Sequence, residues 1–124
     1  MEELLFSFEH LDVWQNARRL VCKIYETTET FPPTEQFGLS SQIRRAAVSV
    51  ASNIAEGTTR ASDKDKLRFL EIAYGSLMEV YCQLRLASDI GCLRNEAFAE
   101  LTPSIIEISK QLSGLRRTYI SRSR

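Results

Sequence analysis

Histidine is nearly absent from this 124-residue sequence, with His10 its single representative. That excludes the di-iron helical bundles, which need two Glu-x-x-His motifs. It also leaves any Ser-His-Asp or Cys-His arrangement dependent on one residue ahead of the first helix. The expected place for His10 is in solvent near the first helix cap. Cysteine is scarce too: Cys22, Cys82 and Cys92 are odd in number and widely spaced, with no C-x-x-C pair. Neither a disulfide framework nor a zinc site fits that spacing, and reduced thiols in a cytoplasmic protein are the expectation. No apolar run approaches the roughly 20 residues of a membrane span. The opening MEELLFSFEH is acidic and lacks the basic start and apolar stretch of a secretory signal. There is no G-x-x-x-x-G-K and no G-x-G-x-x-G. Glu71 and Glu79 sit two helical turns apart, about 12 Å, too far to share one substrate atom. No catalytic residue, metal or cofactor is expected. Charge of one sign is lacking as well, since 16 Lys and Arg balance 16 Asp and Glu. Neutrality removes the electrostatic excess that drives non-specific nucleic-acid binding.

What the sequence does have is helical periodicity. Apolar residues three and four apart share one helical face, and four segments show this spacing. The first runs Trp14, Ala17, Val21, Ile24, Thr28, Phe31, with Asp12 as N-cap and Pro32-Pro33 as the stop. The second holds Leu39, Ile43, Ala46 or Ala47, Val50 and Ile54, with Gly57 expected as the residue beyond its C-cap. The third runs Leu67, Leu70, Tyr74, Leu77, Tyr81, Leu84, Ser88, Gly91, opened by Ser62 with Asp65 three residues on. The fourth runs Phe98, Leu101, Ile105, Ile108, Leu112, Leu115, Tyr119, with Asn95 expected as N-cap. Pro103 falls inside it and predicts either a kink or a helix restart. The kink is preferred, because the stripe keeps its phase across the proline. Helices are therefore expected at about 12–31, 35–57, 62–91 and 95–120 in one domain spanning 1–124, flexible at 1–9 and 121–124. Short connections between them predict an all-α, antiparallel up-down-up-down four-helix bundle.

Apolar residues also lie off these seams. Val48, Ala51 and Ala55 form a second line on the second helix, and Phe69, Ala73 and Val80 form one on the third. Either the core is wide or these six residues are a subunit interface, and the interface is preferred. Two polar features stand out. In QIRRAA, Arg44 and Arg45 point about 100° apart, so one of them borders a packed surface. In SNIAEG, Asn53 is a weak helix former and Glu56 lies at the unfavourable end of the helix dipole. A structural partner such as a loop backbone or Arg60 is expected for both. The C-terminal RRTYISRSR is basic, with Tyr119 its one aromatic.

The segments DVWQNA (12–17), FPPTEQFGLSSQIRRAAVSVASNIAEG (31–57) and RFLEIAYGSLMEVYCQLRLASDIGCL (68–93) resemble the four-helix bundle proteins named for 23S rRNA intervening sequences. The resemblance extends from Leu11 to about Leu115, and QIRRAAVSVASNIAEG is its most specific stretch. It implies a ring-like homo-oligomer, with a pentamer the form to expect. The segments are also similar to the accessory variability determinant of diversity-generating retroelements, a bundle protein that works with a reverse transcriptase and binds nucleic acid. The functional expectation is a non-enzymatic homo-oligomeric scaffold that binds RNA, DNA or a nucleic-acid-processing partner through Arg44, Arg45, Arg116 and Arg117. The alternative is a protein–protein interaction module with no nucleic-acid role.

Overall fold

A computed structural model describes residues 2–122. Among them there are four long helices and no strands: α1 (Asp12–Thr28), α2 (Leu39–Thr58), α3 (Asp63–Asp89) and α4 (Asn95–Arg122). Two short 3-10 turns, Ser7–His10 and Pro33–Glu35, precede α1 and α2. Each helix packs on its sequence neighbours, and α1 also meets α4, which closes the set around one core.

The stripes explain that core. Ile43, Val50 and Ile54 of α2, Leu77 and Leu84 of α3, and Ile108 and Leu112 of α4 are fully buried. In α1 the face is centred one residue earlier than the seam predicts. Val13 and Leu20 are buried with Ala17 and Ile24, while Trp14 and Val21 lie at its edge. Trp14 is held there by the edge of Phe8, at a centroid distance of 4.9 Å, and by the Arg18 guanidinium over its ring. Residues 2–9 correspondingly make contacts that the loose segment expected at 1–9 would lack, and Met1 lies outside the described residues. Phe8 packs on Trp14, and Glu2 is ion-paired with Arg18. The Arg18 hydrogen bond holds the Glu2 carboxyl below its ordinary range. A carboxylate lowered in the folded state keeps its tether above the ordinary range and releases it only as pH falls through the lowered value. The expectation for 121–124 divides, since α4 continues to Arg122 and residues 123–124 lie outside the described residues.

Helix ends correct several expectations. α1 stops at Thr28, three residues short, where the Thr28 hydroxyl bonds the Ile24 carbonyl at 2.7 Å and competes with the helical ladder. α2 starts at Leu39 because Pro33–Glu35 turn separately, and it runs through Gly57 to Thr58. Gly57 is thus no helix terminator. It is buried inside α2, where a Cβ would lie 3.1 Å from the Phe69 Cβ, so its smallness lets α2 approach α3. The left-handed glycine is Gly91, at φ 84°. Cys92 N–H donates to the Ala87 carbonyl at 2.9 Å and Gly91 N–H to Ser88, the paired bonds of a Schellman ending. Ser62 caps α3 as read, accepting from Asp65 N–H at 3.1 Å. Asn95 does not occupy the cap. The Phe98 N–H reaches the Arg94 carbonyl, and the Asn95 carboxamide accepts from Ser88 Oγ at 2.8 Å. Pro103 lies inside an unbroken α4, which rules out a restart there. Leu101 and Ile105 stay buried on either side of it.

Candidate functional site

The six residues expected at an interface separate in the structure. Phe69, Ala73 and Val80 are buried within the chain, so they belong to the core and not to a free face. The reason is that α3 is covered from two sides. Towards α2, Phe69 meets Gly57, Ser76 Oγ lies 2.7 Å from Ser49 Oγ, and Gln83 Nε2 donates to Gln42. Towards α4, Tyr81 packs on Phe98 and Tyr74 lies under Arg116. A helix covered twice needs a double-width stripe. Ala51 and Ala55 are half-buried, and Val48 alone of the six is exposed.

Val48 has neighbours the periodicity could not supply. Phe37, on the turn before α2, is 90% exposed, and it lines one groove with Tyr25, Val48 and Arg45. Aromatic side chains dominate interface energetics, and here one is grouped with Tyr25 and Val48 on a single exposed face. Periodicity missed Phe37 because it stands outside every helix. The local signal was an aromatic directly before Gly38 at a helix start.

The four candidate arginines are not brought together. Arg44 is consumed internally: its Nε donates to the buried Thr28 hydroxyl at 2.7 Å, and Nη2 to the Tyr25 carbonyl at 3.3 Å. Its guanidinium also lies over the Tyr25 ring, 4.6 Å from the centroid. A cation at the last turn of α1 meets the negative end of that helix dipole. Arg116 is half-buried over Tyr74 at 4.8 Å and offers little to a ligand. Arg45 and Arg117 are exposed. They occupy different sides of α3, because Arg45 shares a groove with Ser76 and Glu79 while Arg116, next to Arg117, rests on Tyr74. Arg44→Ala is therefore expected to act on stability, costing about 1–2 kcal/mol from the lost charged hydrogen bonds and ring contact. Thermal unfolding at fixed protein concentration measures it, and Arg44→Lys should recover only part, lacking the planar fork.

A different basic cluster does form. The Lys66 ammonium and the Arg122 guanidinium lie 5.8 and 5.6 Å from the Tyr119 ring centroid. Arg60 and Arg68 stack on Phe69 nearby. The start of α3 and the end of α4 thus share one basic, aromatic-rich end. In sequence, RASDKDKLR and RRTYISR are about 50 residues apart, and although the second reads as basic, nothing in the sequence pairs it with the first. Asn53 is satisfied locally, its Nδ2 donating to the Ser49 carbonyl at 2.8 Å and to Ser49 Oγ at 3.0 Å. Glu56 is exposed and makes no ion pair among the described residues, and Arg60 turns to Phe69 instead. His10 is exposed on the turn before α1.

Comparison with known proteins agrees with this architecture. A crystal structure of a protein of unknown function from the S23 ribosomal protein family of Bacteroides thetaiotaomicron VPI-5482 is similar, with a TM-score of 0.78. The two share 23% identity, and the match covers 84% of this chain and 97% of that one, which establishes the fold alone. No curated protein matches the sequence. No helix among the described residues is long and apolar enough to cross a membrane. The sequence model of the 23S rRNA-intervening sequence proteins matches residues 9–114. The chain belongs to the 23S rRNA-intervening sequence protein family.

Proposed function

We propose that this chain is a non-enzymatic homo-oligomeric scaffold, a cytoplasmic protein assembling as a ring with the pentamer as its expected form. The observation that carries the proposal is the exposed aromatic and aliphatic surface of Phe37, Tyr25 and Val48. Within each subunit we read the helices as antiparallel, up-down-up-down. Gln42 lies opposite Gln83 and Ser49 opposite Ser76, so numbers rise along α2 as they fall along α3. Tyr81 beside Phe98 and Tyr74 beside Arg116 support the same order for α3 and α4. The lone exposed histidine supports the absence of acid–base chemistry. Phe37→Asp tests the scaffold. The side chain is outside the core, so helicity by circular dichroism should not change, whereas the mass by sedimentation should fall to that of one subunit. An unchanged mass would remove this surface from the assembly.

A second reading rests on the basic end. Lys64, Arg117 and Arg122 are exposed there beside the cations held on Tyr119 and Phe69. Repeated around a ring, modest charge per subunit adds through multivalency and supports contact with RNA or DNA backbone. Lys64→Gln/Arg117→Gln/Arg122→Gln should then lower affinity for mixed-sequence RNA. The slope of log K against log salt should flatten by about 2 in fluorescence anisotropy. If wild type shows no RNA binding at low salt, the protein-interaction reading remains.

A further inference from the structure

Among the described residues two buried side-chain polar atoms have no hydrogen-bond partner, Gln83 Oε1 and Arg116 Nε. Arg116 is half-buried with its guanidinium over Tyr74, whereas Gln83 is only 9% exposed. Gln83 Nε2 donates to Gln42 Oε1 at 3.2 Å and to Glu79 Oε2 at 3.3 Å. An ionised carboxylate only accepts, so Glu79 fixes the amide with its nitrogen on that side and leaves the oxygen undonated. Turning the amide over would set oxygen against carboxylate and orphan the nitrogen instead. A buried acceptor without a donor is unfavourable, and an apolar residue at this position would avoid it. Both partners of the amide line a groove of about 320 Å³ between α2 and α3, together with Arg45, Ser49 and Ser76. A cavity of about 150 Å³ holds benzene, so this one has room for a small molecule. Its hydroxyls are already set, Ser49 and Ser76 bonding each other at 2.7 Å while Asn53 donates to Ser49 Oγ. Arg45 comes from α2 and Glu79 from α3, and no ion pair joins them among the described residues.

We infer that this groove binds a small zwitterion, a free α-amino acid. Its ammonium group donates to the Glu79 carboxylate and to Gln83 Oε1, and its carboxylate meets the Arg45 guanidinium. An ammonium has three donors and no acceptor, which complements the oxygens of Gln42, Glu79 and Gln83 gathered around one amide. Gln42 and Glu79 are exposed, so they swing aside to let a donor reach the enclosed oxygen. The guanidinium fork suits a carboxylate, and charge-assisted bonds at both ends favour a zwitterion over a molecule carrying one charge. The site needs no second subunit, so its failure leaves the scaffold reading intact.

Isothermal titration of the wild-type chain with L-glutamine and L-serine tests the site. N-acetyl-L-glutamine and L-glutaminamide serve as probes lacking the ammonium and the carboxylate. At least one of the two amino acids should bind saturably below about 10 mM, and the blocked probes about ten-fold more weakly. Arg45→Gln and Glu79→Gln, both at exposed positions, should each lower affinity about ten-fold with helicity unchanged by circular dichroism. Gln83→Leu should abolish binding while leaving the thermal midpoint equal or higher, whereas a purely structural amide would lower the midpoint when removed. No saturable heat from either amino acid up to about 10 mM overturns the site and leaves a hydrated groove only. Binding that survives both Arg45→Gln and Glu79→Gln also overturns it, by placing the amino acid elsewhere.

Discussion

Leu77→Ala should lower the unfolding free energy by about 3–4 kcal/mol, the middle of the range for buried leucines. Leu77 is wholly inaccessible and lies on the stripe of α3 that faces the common core. Removing its side chain loses both transfer energy and contacts that surrounding groups cannot regain, because the neighbouring Val80 and Leu84 are anchored on the same rigid helix. Domains of this size have total stabilities of about 5–15 kcal/mol, so the loss is a large fraction of the whole. Urea denaturation at one fixed protein concentration measures it, which matters because oligomerisation makes apparent stability depend on concentration. Ile72→Ala is the control. Ile72 is on the same helix but 46% exposed, and its replacement should change stability by less than about 0.5 kcal/mol outside any interface. Equal losses at the two positions would mean that Leu77 is not at the centre of the packing.

Gly57→Leu should be the second severe change, although it replaces a poor helix former with a good one. Helix propensity alone favours the substitution by about 0.8–1.0 kcal/mol. Sterics oppose it more strongly. The first added carbon already lies 3.1 Å from the Phe69 Cβ and 3.7 Å from the Lys66 carbonyl oxygen. A Cβ cannot rotate out of the way, so Phe69 yields only if α3 moves. The rest of the leucine then forces α2 and α3 apart, at an overpacking cost of about 1–3 kcal/mol or more. The expected net result, after the propensity gain is subtracted, is destabilisation by about 1–2 kcal/mol in the same urea experiment. Neutral or improved stability would show that the two helices separate freely at this point.

These two residues also show where the sequence was legible. Leu77 lay on a heptad stripe, and helix existence followed from such stripes to within a few residues at most ends. Gly57 was legible only as a glycine near a helix end, and Gly91 only as the last member of the stripe of α3. The left-handed conformation belongs to Gly91, while Gly57 serves a close helix approach that no single-helix pattern encodes. The same limit applies to the interface. Periodicity shows that Phe69, Ala73 and Val80 lie off the seam, but not that α2 covers them. Arg44 could be read as bordering a packed surface, yet its acceptor is the buried Thr28 hydroxyl at the end of another helix. Phe37 carries no period at all and becomes visible only as an aromatic left in solvent.

The account centres on a surface that a single subunit leaves exposed, and light scattering after gel filtration of the wild-type chain addresses it most directly. At tens of micromolar the mass should be a multiple of 14.2 kDa, five-fold for the ring. It should persist from low to high salt, because apolar contact carries the association. A mass of 14.2 kDa throughout that range would contradict the scaffold and every inference that depends on it.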